Sequence, residues 1–239
     1  MNVGQVPNTH VFMMSRVLTL AFALGLGASA QAGGLFLFDT GNATIRDYDA
    51  NGYQDTRTLS GMAGPIADVN VTLSISGGFN GDLYAWLSHG TALSILLNRV
   101  GRSSTNGVGY GDAGFGMDAQ LSRFTLDDQA GQDVHFYRAG GYTLNASGQL
   151  TGVWQPDGRA LDPESPASSF DTASRSNGLG VFNGLDPNGE WILFVADVSQ
   201  GSISTLTEWG LEITVVPEPS AFSLAIVGAA AVMISRRRR

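Results

Sequence analysis

The chain contains no cysteine. That absence excludes disulfide bridges, thiolate zinc sites, iron–sulfur clusters and a cysteine nucleophile. Lysine is missing too, so all 13 basic residues are arginine. Charged residues make up only 14%, against roughly 25% in an ordinary globular protein. The hydrophobic fraction, 43%, is that of a chain that builds a core, which excludes a disordered polyelectrolyte. Eight prolines and no Gly-x-y period exclude collagen. What is abundant is glycine, 32 of 239 residues, nearly twice the usual share of roughly 7%.

The charges are unevenly placed. Arg16 and Arg236 to Arg239 sit near the two ends, and eight arginines, from Arg46 to Arg175, lie between them. All 21 acids fall between Asp39 and Glu218. A body this acidic repels nucleic acid and anionic lipid, so no nucleic-acid partner is expected. It is also able to attract divalent cations.

Residues 1–32 read as a secretory signal peptide. Arg16 supplies the positive region and Val17 to Leu26 the apolar one. Ala30-Gln31-Ala32 is a small-x-small cleavage site, and the true start is as well placed at Met13 or Met14. At the other end Pro217-Glu218-Pro219 precedes an apolar stretch, 221–235, and four arginines. As a helix that stretch is roughly 22 Å long, short of the roughly 30 Å of bilayer hydrocarbon, and it spans only if the arginines snorkel. Arginines at both ends are expected on the cytoplasmic side, which leaves the acidic body outside.

The order Pro-Glu-Pro, short apolar helix and terminal arginine cluster in 216–239 resembles the PEP-CTERM sorting signal of Gram-negative bacteria. The resemblance implies processing by an exosortase near Pro217, Glu218 and Pro219, after signal peptidase has cut behind Ala30 and Ala32. It further implies a transient inner-membrane intermediate and delivery to the outer surface or the exopolysaccharide matrix.

The body reads as strands. Val69, Val71, Leu73 and Ile75 alternate with polar residues, as do Trp209, Leu211, Ile213 and Val215. Trp191 to Ala196 is continuously apolar, and Leu35–Phe38, Leu83–Leu87, Leu93–Leu97 and Phe124–Leu126 are shorter candidates. Gly- and Asn-rich turn clusters separate them, and no helical period is sustained. The pattern predicts an all-β protein, an antiparallel β-sandwich or jelly roll. Trp191 and Trp209 are expected in its core, each with a partner for its N–H. The expected organisation is an N-terminal strand and acidic loop over 33–60 and the sandwich over 61–215.

Three segments resemble the P domain, or Homo B domain, of proprotein convertases. They are Ile66 to Leu73, Gly81-Asp82-Leu83 through Ser88 with Gly90-Thr91, and Gly189-Glu190-Trp191-Ile192-Leu193 with Asp197, Gly201 and Trp209-Gly210-Leu211. The sequence departs from that family at Ser76-Gly77 and at His89, and its middle is longer. The resemblance implies a P-domain-like sandwich that accompanies a serine endopeptidase and is not itself one.

Chemistry is sparse. His89 and His135 are the only imidazoles of the body, no G-x-S-x-G elbow is present, and the adjacent Asp127 and Asp128 point to opposite faces of a strand. No enzyme activity and no required cofactor are expected. Calcium is the one metal the residues suggest. Asp47-x-Asp49-x-Asn51-Gly52, with Asp55, follows the first half of an EF-hand loop, although Thr58 stands where the bidentate Glu belongs. Asp82, Asp127, Asp128, Asp186 and Asp197 are further acids able to gather at a sandwich edge. Tyr84 and Trp86 share one strand face and are a candidate ligand face.

The expectation drawn from the residues is an exported, non-enzymatic cell-surface or matrix protein that contacts exopolysaccharide. Its alternatives are a calcium-dependent carbohydrate-binding module and an accessory domain acting with a serine endopeptidase.

Overall fold

Period-two alternation puts one side of each long strand out of water, and two such faces closing on each other make the core. The computed structural model describes Met1, residues 33–120 and residues 122–216. Its strands are β1 (Gly33–Ile45), β2 (Asp49–Leu59), β3 (Ile66–Gly77), β4 (Leu83–His89), β5 (Ala92–Asn98), β6 (Gly114–Phe115), β7 (Thr125–Leu126), β8 (Val153–Trp154), β9 (Gly189–Asp197) and β10 (Ser204–Val215). They form two sheets. One runs β1-β10-β3-β7-β8, with β6 also on β3, and the other runs β2-β9-β4-β5.

Between the sheets lie Val69, Val71, Leu73 and Ile75 of β3 and Trp209, Leu211, Ile213 and Val215 of β10, facing Leu83, Ala85 and Leu87 of β4 and Trp191, Leu193 and Val195 of β9. Each apolar side chain withdrawn from water there contributes about 1.5–3 kcal/mol. Trp191 and Trp209 are fully buried, and each indole N–H is satisfied, by the Pro187 carbonyl at 3.0 Å and by Asp55 Oδ2 at 2.6 Å. The run Trp191 to Ala196 is the centre of the smaller sheet, flanked by β2 and β4. Its Ile192 and Phe194 are only half-buried, on the sheet's outer side.

The stretch read as an acidic loop runs as β2, an edge strand paired with β9 from Asp49↔Asp197 to Leu59↔Gly189. β1 and β2 are consecutive yet belong to different sheets, and the chain turns between them through Tyr48 at φ +50°. Polar inward positions close this edge of the sandwich. Asp55 accepts the Trp209 indole from the opposite sheet and pairs with Arg57 Nε at 2.8 Å. The Arg57 guanidinium lies 5.3 Å from the Phe38 ring centre, and Phe38 packs on Trp209 at 4.6 Å.

From 99 to 188 regular pairing is short, and side chains do the joining. Asn80 is fully buried; it accepts from the Gly114 amide and donates to the Tyr137 hydroxyl. Gly81 and Gly109 touch backbone to backbone, so a Cβ on either would lie 2.6 Å from atoms of the other segment. That contact seats the 101–116 loop on the start of β4.

The expected fold is corrected in three respects. The described residues form an all-β arrangement of two sheets, but it is not wholly antiparallel, because β7 and β8 pair in parallel. These two strands are two residues each and meet through loops, not through a hairpin. No signal helix and no membrane-spanning helix flank the sheets among the described residues, where helical structure is limited to 3₁₀ pieces and no helix is long and apolar enough to cross a membrane. The segments read as signal and span, with Ala30, Ala32, Pro217, Glu218 and Pro219, lie outside the described residues.

Replacing Trp209 with Phe keeps the ring in the core but removes the bond that ties β10 to β2. A hydrogen bond to a charged group is worth about 1.5–3 kcal/mol. Trp209→Phe should lose that much stability in urea unfolding, and Asp55→Asn should lose less, since the amide oxygen still accepts.

Candidate functional site

The six residues read as calcium ligands do not gather around one point: Asp47 and Asp82 lie near each other beside Asp197, while the others are engaged elsewhere. Asp49 Oδ1 accepts from the Asn51 amide and side chain, closing a local turn at the start of β2. Asp55 points into the sandwich toward Trp209. Asp186 accepts from the Asn188 amide and side chain in the loop before β9, and these bonds hold its carboxyl below the usual range. Asp47 accepts from the Gly201 amide, and Asp82 faces Arg99. Among the described residues no group of three or more His, Asp or Glu is arranged to hold a metal ion. Asp127 and Asp128 are likewise absorbed by backbone, the first by the Gln129 amide and the second by the amides of Leu179 and Gly180.

One group of these acids is unusual for its burial. Asp197, at the end of β9, is fully buried, and its Oδ2 has no hydrogen-bond partner. Its register partners are Leu83 on β4 and Asp49 on β2, so three strands of the smaller sheet converge there. Burial, reinforced by the carboxylates of Asp82 and Asp47, pushes the Asp197 carboxyl up to about 6. Asp82, 5% exposed, is also raised, by burial first, against the opposing pull of Arg99. Arg99 donates from Nε to the Gly81 carbonyl, which fixes its guanidinium beside Asp82.

The outer side of the smaller sheet carries the aromatic residues expected there. Tyr84 and Trp86 are half-buried, and Trp86 stacks on Phe194 of β9 with centroids 5.0 Å apart and planes 12° from parallel. Burial and the nearby Asp162 raise the Tyr84 hydroxyl. Phe194 is the member that sequence reading missed. It sat in a run continuous enough to read as wholly interior, and only the pairing Trp86↔Phe194 puts the two rings on one face.

Both imidazoles of the body are enclosed. His89 stacks on Trp191 at 4.2 Å, and its ring nitrogens face the carbonyls of Glu190 at 2.8 Å and Asp186 at 2.6 Å. His135 is fully buried. Its Nδ1 lies 2.6 Å from Asp157 Oδ2 and its Nε2 lies 2.9 Å from the Arg102 carbonyl oxygen. An Asp–His pair is two-thirds of a hydrolytic triad, with the carboxylate orienting the base. Here the atom that would take a nucleophile's proton faces the Arg102 carbonyl oxygen, and among the described residues no side-chain hydroxyl is hydrogen-bonded to it. Twenty-two residues separate the pair, in a stretch with no period and no motif, and no sequence signal marks it.

Asp157 is the hub behind that pair. It is fully buried, and Arg159 Nη1 approaches its Oδ1 at 3.2 Å. Arg159 Nη2 also binds Asp133 at 2.8 Å, and Arg175 Nε lies 3.4 Å from the same carboxylate. Arg175 reaches the wall of an open polar cleft of about 500 Å³, lined also by Asp128, Gln155, Gly158 and Gly178. Its donors are already engaged, by Gln155 Oε1 and by the carbonyls of Pro156 and Asp157.

No family model matches the chain, and no curated protein matches it. Solved structures similar to it include a serine protease of Aeromonas sobria, at 13% identity and a TM-score of 0.40, covering 78% of this chain and 27% of that one. Another is the complex of the Aeromonas sobria serine protease with the chaperone ORF2, at 14% identity and a TM-score of 0.34, covering 79% and 27%. The chain thus spans 27% of the length of those structures.

These findings correct the expectations built on family resemblance. With no family model matching, neither the PEP-CTERM sorting signal nor the P domain stands as this chain's family. The exosortase-sorted surface protein, its partners exosortase and signal peptidase, and the route through an inner-membrane intermediate are corrected with it. Among the described residues there is no helix long and apolar enough for that intermediate.

The Asp197 carboxyl gives a pH dependence of definite sign. Its folded value, about 6, lies above the ordinary value of about 3.9 expected in the unfolded chain. Between those values the unfolded state ionises first, so stability falls as pH rises from about 4 to about 6 and stays lowered above that. Asp197→Asn should therefore melt higher than the wild-type chain at neutral pH, and the difference should vanish near pH 4. Thermal melts across that window check it.

Proposed function

We propose that this chain is a non-catalytic accessory module that acts by binding a second polypeptide, with a serine endopeptidase as the partner class. The observation that supports it is the closure of His135. In the Asp–His pair that most resembles catalytic machinery, the nitrogen facing the nucleophile's place is bonded to a backbone carbonyl 2.9 Å away. Freeing that nitrogen for proton transfer would mean breaking a buried hydrogen bond. A chain built this way contributes through its surface.

The contact surface in this reading is the outer side of the smaller sheet. Tyr84, Trp86 and Phe194 form a half-buried aromatic row on rigid, paired strands. Aromatic side chains held in this way give much contact area for little lost conformational freedom, which is why they dominate binding hot spots. β1 and β2 pack into the same two sheets as the rest, so the module includes them.

The test is association in solution. The purified chain, mixed with the catalytic domain of a serine endopeptidase, should bind it and slow its thermal inactivation. Trp86→Ala should weaken binding by about tenfold or more, while the chain stays folded and its own melting temperature falls by only the few degrees that loss of the Phe194 stack costs. Peptide hydrolysis by the chain alone, blocked by a serine-directed covalent inhibitor, would overturn the non-catalytic reading. Failure to bind serine endopeptidases would remove the partner class.

A further inference from the structure

A neutral imidazole has one N–H and one lone pair, so it donates one hydrogen bond and accepts one. His135 has no donor to accept from. The Asp157 carboxylate oxygen stands 2.6 Å from Nδ1 and the Arg102 carbonyl oxygen 2.9 Å from Nε2. Both are acceptors, and the ring is fully buried, so water cannot serve as the missing donor. A neutral ring would leave a nitrogen lone pair against an oxygen lone pair in a dry site, at the cost of an unmade buried bond. The imidazolium donates to both.

We propose that His135 is a buried proton lock, held as an imidazolium that clasps the 99–116 segment to the 155–171 segment, and that loss of its proton loosens the clasp. On one side the Arg102 carbonyl belongs to the turn after β5, where Arg102 bonds the Arg99 carbonyl and Ser103 pairs with Asn106. On the other, Asp157 is fixed to β5 by its own amide on the Leu96 carbonyl, and its Oδ2 also takes the Asn98 amide at 3.3 Å. Phe170 stacks on the imidazole at 5.6 Å and Phe136 meets it edge-on at 4.7 Å, so the ring cannot swing away to find another partner.

The charges facing the ring come from every segment around it. Asp157 touches Nδ1, Asp133 takes the His135 amide, and Asp171 caps the Ser104 amide nearby. Against these stand Arg159 and Arg175, both bound to Asp133, and Arg102, whose guanidinium lies over Phe170. Arg159 already neutralises one oxygen of Asp157, and the histidine proton neutralises the other. When that proton leaves, either Asp157 Oδ2 is left with only the long Asn98 amide bond or the Arg102 carbonyl loses its His135 donor, and the two segments loosen at the seam that runs on to Arg175 and the polar cleft.

Two readouts on the full chain decide this. Nitrogen-15 NMR of the wild-type chain should show both His135 ring nitrogens protonated at the acid end of a titration from about pH 5 to 9. On raising the pH, loss of one ring N–H should coincide with an increase in proteolytic cutting within 99–116 of about tenfold or more, as loss of a charge-assisted bond requires. In His135→Gln, whose side chain cannot donate twice in these directions, cutting should be fast and independent of pH over the same range. A single-tautomer neutral ring at the acid end, or a cutting step that persists in the Gln variant, would overturn the proposal. If the Gln variant does not fold, the wild-type NMR and cutting curves decide alone, and a ring titration without change in cutting refutes the lock.

Discussion

The carboxylate of Asp157 is the interaction on which the irregular half of this protein depends. A fully buried anion is tolerated only when most of its lone pairs are taken, since its isolated desolvation costs far more than the stability of a whole domain. Here one oxygen is met by Arg159 and the other by His135 and the Asn98 amide. The residue's backbone is equally engaged, its amide on Leu96 and its carbonyl by Arg175. Strand β5, the helical turn at Val134–Ala139 and two long loops are thereby held at a single point. Between β5 and β9 the chain has little regular structure, and apolar anchors such as Phe170, Leu179 and Phe182 are buried there beside this polar hub.

The sandwich itself is held differently. Its two sheets close on apolar side chains through most of their area, and polar atoms enter at the margins, at the β1–β2 edge and where Asp82 and Asp197 meet at the ends of β4 and β9. At the β1–β2 edge Asp55 and Arg57 point inward, and their partners come from the other sheet, Trp209 and Phe38. Placing a charge pair at the margin instead of the centre keeps its desolvation small while fixing how the sheets face each other. The outer side of the smaller sheet then has no structural duty for Trp86 and Phe194 beyond their mutual stack, which is what frees it for contact with another molecule.

How much of this was legible in the sequence divides along the same line. The alternating runs at Val69–Ile75 and Trp209–Val215 are set by burial of one face, and period two reports burial directly. β2 hid because its inward positions are Tyr53, Asp55 and Arg57, so its pattern carries no hydrophobic period, and the Asp and Asn residues at its start resemble a metal loop. Their real partners are a turn amide, an arginine and an indole from a strand 154 positions away. The aromatic row was half legible, with Tyr84 and Trp86 on one strand and Phe194 supplied only by register. The Asp157–His135 contact was not legible at all. It joins two irregular segments, and irregular backbone has no period from which a side chain's direction follows.

The strand order fixes when this protein can fold. β1 pairs with β10 from Gly33↔Thr214 onward, and β2 pairs with β9. β1 and β2 are thus the partners of the last two long strands, so the smaller sheet can be completed only once synthesis has passed Asp197 and the larger one only once it has passed Val215. At about 5–20 residues per second, the roughly 180 residues from Gly33 to its partner Thr214 take roughly ten to forty seconds to make. Throughout that interval β1 is exposed with Leu35, Phe36, Leu37 and Phe38 and no charge among them. An apolar strand that waits unpaired for that long is the segment of this chain most open to wrong pairing during folding.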